Sequence, residues 1–308
     1  MIHLRNKNID QELPTVVTIG NFDGMHKGHI KLIKSVINHA KRNNLKSLVF
    51  SFNPHPRSVI KEEKVYHIFT SEEKARTLSQ LGVDIFIEYP FDREFSIKTP
   101  QYFMEEIIYK KLKCAALAVG ENYRFGKNGE GNITHILDFS KKHGIHIFVE
   151  NLQKEENGEN ICSTKIRKAI TDGEIVWANN ILGRSYYIEG LVLEGDKRGS
   201  QIGFPTANIA PHPTKILPKN GVYITSTVLV DSATKYPSVT NIGVHPTFEG
   251  SNILIETFIL DFKQNIYNKN IGINFLQRIR NEKKFDNVNS LVRQIKLDVD
   301  MAREWHNI

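Results

Sequence analysis

Residues 16–36 read VVTIGNFDGMHKGHIKLIKSV. The apolar run Val16–Ile19 stops at Gly20, and ten residues later Ile30, Ile33, Val36 and Ile37 recur at helical spacing. A buried strand that gives way to an amphipathic helix is the first half of a βαβ unit. The same alternation continues downstream. Short apolar runs at 15–19, 47–52, 84–89, 115–119 and 146–150 predict strands, and helical patterns at 30–42, 72–81, 100–110 and 133–142 predict the crossovers between them. Strands that alternate with helices in this way predict a doubly wound α/β domain on a parallel sheet.

From Arg184 the texture changes. β-branched and aromatic residues gather in short runs separated by Gly, Pro, Asn and Asp, as in YYIEGLVLEG, GVYITSTVLV and NILIETFILDF. That pattern predicts an antiparallel barrel or sandwich. Helical spacing returns at 288–305, with Leu291, Ile295, Val299 and Ala302 near one face. The domain boundary is placed near Gly183, giving 1–183 and 184–308. A chain of 308 residues suffices for two such cores. No apolar run approaches the roughly 20 residues of a membrane span, and the first residues lack the apolar core of a signal peptide. A cytoplasmic enzyme is therefore expected, with no membrane partner. Cys114 and Cys162 are the two cysteines, so neither a disulfide framework nor a cysteine metal site is indicated. The net charge of +7 is dispersed among acidic residues, which favours phosphate-bearing small molecules over nucleic acid.

The turn between the first strand and helix is where chemistry is expected. Free N–H groups and the helix dipole make a helix start a phosphate site. Gly20 and Gly24 let the backbone approach a ligand, and Gly28 leaves the start of the helix uncrowded. The stretch is neither a dinucleotide fingerprint nor a Walker loop, since the third Gly of one and the Gly-Lys-Ser/Thr of the other are missing. His26 and His29, three residues apart, can face one anion from the first helical turn. Two surface histidines, or a zinc pair without nearby Cys or carboxylate ligands, are the other readings of that spacing.

GNFDGMHKGH resembles the His-x-Gly-His element of the nucleotidyltransferase superfamily, in which both histidines hold the triphosphate of ATP. FSFNPHPRSVI, VGENYRFGKNGEGN and ICSTKIRKAI are similar, in order, to the remaining elements of the bacterial bifunctional riboflavin kinase and FAD synthetase family. GRSYYIEGLVLEGDKRGSQIGFPTANI resembles its flavokinase signature, and YPSVTNIGVHPTF, IETFILDF and IRNEKKF extend the likeness to the C-terminal helix. The resemblance implies an N-terminal doubly wound nucleotidyltransferase domain followed by a six-stranded antiparallel β-barrel kinase with a terminal helix. It implies two activities: riboflavin and ATP give FMN and ADP, then FMN and a second ATP give FAD and pyrophosphate. Mg²⁺ is the implied metal.

For the adenylyltransferase, the resemblance assigns ATP contacts to Gly20, Phe22, Asp23, Gly24, His26, His29, Ser163, Thr164 and Arg167. It assigns flavin contacts to Asn53, His55, Asn122 and Arg124. Taken alone, 163–167 is an ordinary helix cap followed by a solvated Arg, and 53–55 is equally a simple turn. For the kinase, the resemblance makes Glu256 the base that takes the proton of the riboflavin 5′-hydroxyl, although an outward-facing Glu on an alternating strand is the plainer reading of that residue. The resemblance assigns ATP and Mg²⁺ contacts of the kinase to Gly195, Gly199, Gly203, Pro205, Thr206 and Asn208, and the glycines at 190, 195, 199 and 203 would form a flap over the nucleotide, or merely hairpin turns. Thr206 and Asn208 would offer neutral oxygens to Mg²⁺. Three positions depart from the family pattern: Cys162 where Ser is common, Asn132 where an acidic residue is common, and Phe258 where His is frequent. A protein that keeps one activity, or a flavin-sensing or RNA-binding protein on the same scaffold, is the rival expectation. The sequence leaves the oligomeric state open.

Overall fold

The computed structural model describes residues 1–150, 160–195, 198–230, 234–247 and 250–308. The chain divides into two compact units, Met1–Ser163 and Thr164–Ile308.

The first unit is a six-stranded parallel sheet in the order β1-β4-β3-β2-β5-β6, with β1 Ile2–Leu4, β2 Thr15–Ile19, β3 Lys46–Asn53, β4 Ile85–Pro90, β5 Cys114–Gly120 and β6 His146–Glu150. Every residue of β2 is buried, as expected of a central parallel strand covered on both faces. The order runs outward from β2 to β3 and β4 on one side and to β5 and β6 on the other. The winding therefore reverses between β2 and β5, and ligands bind such sheets outside the carboxyl ends of the strands at that reversal.

The five predicted strands are present, and β2 and β6 keep their predicted bounds. The edge strand β1 escaped sequence reading because three half-exposed residues carry no period. The first helix starts at Lys27 rather than at residue 30. Leu32, Ile33, Val36, Ile37 and Ala40 form its buried face, whereas its first turn is polar and shows no apolar period. The segment predicted as one helix over 100–110 is a turn of helix, Pro100–Tyr102, that runs on as the π-helix Phe103–Lys111. The helix Ser71–Leu81 opens with a capping box between Thr70 and Glu73.

The second unit is a closed six-stranded barrel, β10-β11-β8-β7-β12-β9, built from β7 Tyr186–Leu193, β8 Ala207–Pro211, β9 Gly221–Leu229, β10 Lys235–Thr247, β11 Gly250–Ile259 and β12 Asn270–Arg280. Barrel closure decides between the two architectures the strand pattern left open. Two short helices, Ser163–Asp172 and Ile175–Leu182, lead into β7. The interior is partly polar. Thr225, Thr227, Ser238, Thr240 and Thr257 are buried and join hydroxyl to hydroxyl, with Thr225 2.8 Å from both Ser238 and Thr240 and Thr240 2.9 Å from Thr257. Each hydroxyl can both donate and accept, so the cluster satisfies itself. On the outer face Val222, Ile224 and Val239 pack with Val299 and Ala302 of the terminal helix Val288–His306. Asp298 of that helix is buried and receives Arg280 of β12 in a fork at 2.7 and 3.0 Å, which fastens helix to barrel.

Candidate active sites

The loop between β2 and the helix Lys27–Arg42 is tightly determined. His26 is buried and caps the helix, its Nδ1 accepting the His29 N–H at 3.4 Å. The His29 ring stacks on that of His26 with centroids 3.7 Å apart, and Phe22 meets His29 edge-on at 5.3 Å. The two imidazoles therefore form one stacked pair at a helix N-terminus, a place where anions bind. Phe22, Gly24 and Met25 all have positive φ. At Gly24 a Cβ would lie 2.9 Å from the Ile68 side chain, so that glycine is required by space as well as by φ. The Asp23 side chain accepts the N–H groups of Ile68 and Phe69 at 2.9 and 3.1 Å, and its carbonyl accepts the Ser163 hydroxyl at 2.8 Å. Asp23 thus shapes the loop and seats Ser163. Thr164 and Arg167 follow within the helix that Ser163 begins.

Beside this loop, at the sheet reversal, opens a cavity of about 740 Å³. Gly20, His55, Asn122 and Arg124 line it, while Asn53, at the exposed end of β3, does not. His55 Nε2 lies 3.0 Å from Asn21 Nδ2, which ties the β3 turn to the phosphate loop. The apolar wall comes from Phe52, Phe91, Phe95, Phe103, Tyr123 and Phe125. Phe103 is the first residue of the π-helix and packs against Phe52, Phe95 and Phe125 at 5.7–6.3 Å. Sequence reading missed these rings because they come from the ends of different strands and a π-turn, and each alone reads as core. Asn132, the departure from the acidic pattern, caps the helix Ile133–His143 by accepting Thr134 N–H at 2.9 Å.

In the barrel, Glu256 is half-buried on the outer face of β11, with Ile255 and Thr257 turned inward. Strand register sets it directly opposite Asn208 of β8 on one side and Asn241 of β10 on the other. Opposed residues on one face bring Cβ atoms to about 5 Å, so the carboxylate stands between two carboxamides. Glu256, Asn241, Thr206, Gly199 and Phe258 share a cavity of about 320 Å³ that the terminal helix walls with Leu291, Ile295 and Val299. Glu256 is thus a half-buried carboxylate in the wall of that cavity. Phe258, where His is frequent, meets Phe204 edge-on at 5.4 Å and adds to the apolar wall. Asn241 was not legible in the sequence, because register alone brings it beside Glu256. A second cavity, about 460 Å³, is lined by Pro205 and Thr206 together with Phe262, Ile266 and Tyr267. Thr206 lines both.

The glycines sort into distinct roles. A Cβ on Gly195 would fall 1.7 Å from Asn208 Nδ2, and one on Gly199 would fall 2.3 Å from the Phe204 carbonyl and 3.4 Å from Thr206 Oγ1. Gly203 has φ +87° with nothing near its missing side chain. Gly190 belongs to β7, where a Cβ would strike the Ala210 carbonyl. Asp196 and Lys197 of the Gly-rich stretch lie outside the described residues. Asn208 Oδ1 is buried and has no hydrogen-bond partner among the described residues.

Two family models match the chain, FAD synthetase over residues 8–165 and riboflavin kinase over residues 182–306. Among curated relatives, the bifunctional riboflavin kinase/FMN adenylyltransferase of Escherichia coli (strain K12) is 35% identical over 294 residues, covering 95% of this chain and 93% of that protein. The chain belongs to the bifunctional riboflavin kinase/FMN adenylyltransferase family. Its Listeria monocytogenes member is 36% identical over 96% of this chain and 93% of its own length. A solved structure described as a macrolide-efflux protein from Streptococcus pneumoniae superposes with a TM-score of 0.90 at 31% identity, covering 99% of this chain and all of that one. Among the described residues no helix is long and apolar enough to cross a membrane. The family's two matched segments carry the His26/His29 loop and the Glu256 cavity respectively.

Proposed function

We propose that the chain phosphorylates riboflavin to FMN at the Glu256 cavity and adenylylates FMN to FAD at the His26/His29 loop, each with its own ATP. The observation that carries this reading is the pairing, in each compact unit, of a phosphate-directed element with an apolar cavity of ligand size.

In the adenylyl transfer, a phosphate oxygen of FMN attacks the α-phosphorus of ATP and pyrophosphate leaves. The nucleophile already carries charge, so the task is positioning and neutralisation rather than proton removal. His26 and His29 donate to the phosphates from the helix start, with Ser163 beside them on the Asp23 carbonyl. The flavin ring lies against the aromatic wall near Phe103, between Asn122, Arg124 and His55. In the kinase step, Glu256 takes the proton of the riboflavin 5′-hydroxyl as that oxygen attacks the γ-phosphorus, and ADP leaves. Thr206 lines both barrel cavities, so the flavin is assigned to the one with Glu256 and the nucleotide to the one with Tyr267. The Thr206 hydroxyl and the unmatched Asn208 Oδ1 are neutral oxygens that fit Mg²⁺. When bound there, Mg²⁺ would offset charge on the ATP phosphates. The partners proposed are these small molecules alone, in the cytoplasm, with the working boundary between activities near Gly183.

Incubation with riboflavin, ATP and Mg²⁺, followed by chromatographic separation, is expected to yield FMN and then FAD. Absence of FMN refutes the kinase assignment, and FMN that never becomes FAD refutes the adenylyltransferase one. Fragments 1–183 and 184–308 are each expected to keep one activity; two folded but inactive fragments would refute the division.

A further inference from the structure

Beneath the loop that carries His26 lies a charged group that the chemistry above does not use. Lys74, in the first turn of the helix Ser71–Leu81, is buried, and its ammonium donates to Ser51 Oγ at 3.3 Å. Ser51 of β3 is itself directed at the Asn21 carbonyl, 3.5 Å away. Burial pushes the Lys74 ammonium below the usual lysine range, opposed by the negative charges of Glu88 on β4 and of Asp23 in the loop. A buried cation is sustained only by such partners.

The loop above it needs support. Phe22 and Met25 hold φ of +48° and +38°, a region that non-glycine residues rarely occupy without strain. Strain of this kind persists only where surrounding contacts over-determine the shape. Those contacts meet at Asp23, through the Ile68 and Phe69 N–H groups, the Ser163 hydroxyl and the field of Lys74.

We infer that Lys74 is a positioning residue for adenylyl transfer, a buried counter-charge that keeps the strained loop 20–26 in the shape where His26, His29 and Ser163 meet the nucleotide. This rests on the phosphate-binding reading of His26 and His29. Lys74 acts through Asp23, and through Ser51 on Asn21, without touching substrate. Glu88 keeps His3 at 3.0 Å, Arg5 at 3.2 Å and Ser71 as partners when Lys74 is removed, so the change is felt at Asp23 and Ser51.

The test uses full-length Lys74→Met and Lys74→Arg, assayed for FAD formation from FMN at a temperature where each chain remains folded. FMN formation from riboflavin is read in the same preparation. Lys74→Met is expected to lower kcat for FAD formation by about 10- to 100-fold, the scale of a misplacement of about an ångström. The FMN KM should stay near that of the parent. Lys74→Arg should recover part of the rate, and FMN formation should be unaffected. A parent-like kcat in Lys74→Met would overturn the inference, as would a loss that tracks the unfolded fraction or that Lys74→Arg does not recover in part. His29→Ala serves as the second arm. If it keeps FAD formation, the phosphate-site reading fails; if it loses FAD formation while Lys74→Met does not, only the role of Lys74 fails.

Discussion

Replacing Gly195 with Ala adds one methyl group at the tightest contact in the barrel site. The new Cβ would sit 1.7 Å from Asn208 Nδ2 and 3.0 Å from its Cγ. Ordinary contact between such atoms is about 3.5 Å, so the carboxamide must move by roughly 1.5–2 Å or swing to another rotamer. Either movement carries Oδ1 away from the position proposed for Mg²⁺. A displacement of about 1 Å in a positioning group costs about a hundredfold in rate, so Gly195→Ala is expected to lower FMN formation at least that far. FAD formation from supplied FMN should be unchanged. The cause can be isolated with a double-mutant cycle, measuring kcat for riboflavin phosphorylation in the parent, Gly195→Ala, Asn208→Ala and the double variant. If the methyl group acts through Asn208, adding it to the Asn208→Ala chain should cost less than about threefold, since sites that act as one are not additive. Parent-like activity of Gly195→Ala, or a full further loss in the double variant, would refute this reasoning.

His29→Ala should reduce FAD formation from FMN by about a hundredfold or more, the usual effect of removing one preorganised donor from developing charge, with riboflavin phosphorylation retained; rate assays on the two substrates check it. Arg280→Met leaves the buried Asp298 carboxylate without its cation, though Gln294 still donates to it at 3.0 Å, and should destabilise the barrel unit by about 3 kcal/mol, measured by denaturant unfolding. Asp84 gives a pH-dependent case. Burial alone would raise its carboxyl, but the hydroxyl and N–H of Ser47, at 2.6 and 2.9 Å, together with Lys46, hold it below the usual carboxylate range. The stabilisation is therefore complete above that range and is lost as pH falls through the folded-state value. Ser47→Ala should cost about 1 kcal/mol or less at neutral pH, given the partial exposure of Asp84, and the difference from the parent should shrink in acid.

Much of the fold was legible because buried parallel strands and amphipathic crossovers differ in period, as β2 and the helix after it illustrate. What escaped had weak local signals. The strand Ile2–Leu4 is three residues long, and the π-helix Phe103–Lys111 has the composition of an α-helix. Both faces of β9 are covered, one by the barrel interior and one by the terminal helix, so closure could not be read from alternation. At the sites, the spacing of His26 and His29 was enough to predict that the two rings meet at the helix start, because a single turn holds both. Glu256 needed its environment: only the register with Asn208 and Asn241 and the wall of the terminal helix show that it lines a cavity, and these support the proposal that it is the base. Lys74 was invisible, since a lysine in the first turn of a polar helix ordinarily faces water.

The account stands on two chemistries held by separate residues of one chain, and Glu256→Gln tests it most directly. The substitution keeps shape and removes basicity, and a base that activates a hydroxyl contributes about 10² to 10⁴ in rate. One preparation of the variant is given ATP and Mg²⁺ with either riboflavin or FMN, and the flavins are separated by chromatography. The account predicts that FMN formation from riboflavin falls within that range while FAD formation from FMN proceeds at the parent rate. Riboflavin phosphorylation at nearly the parent rate would contradict it.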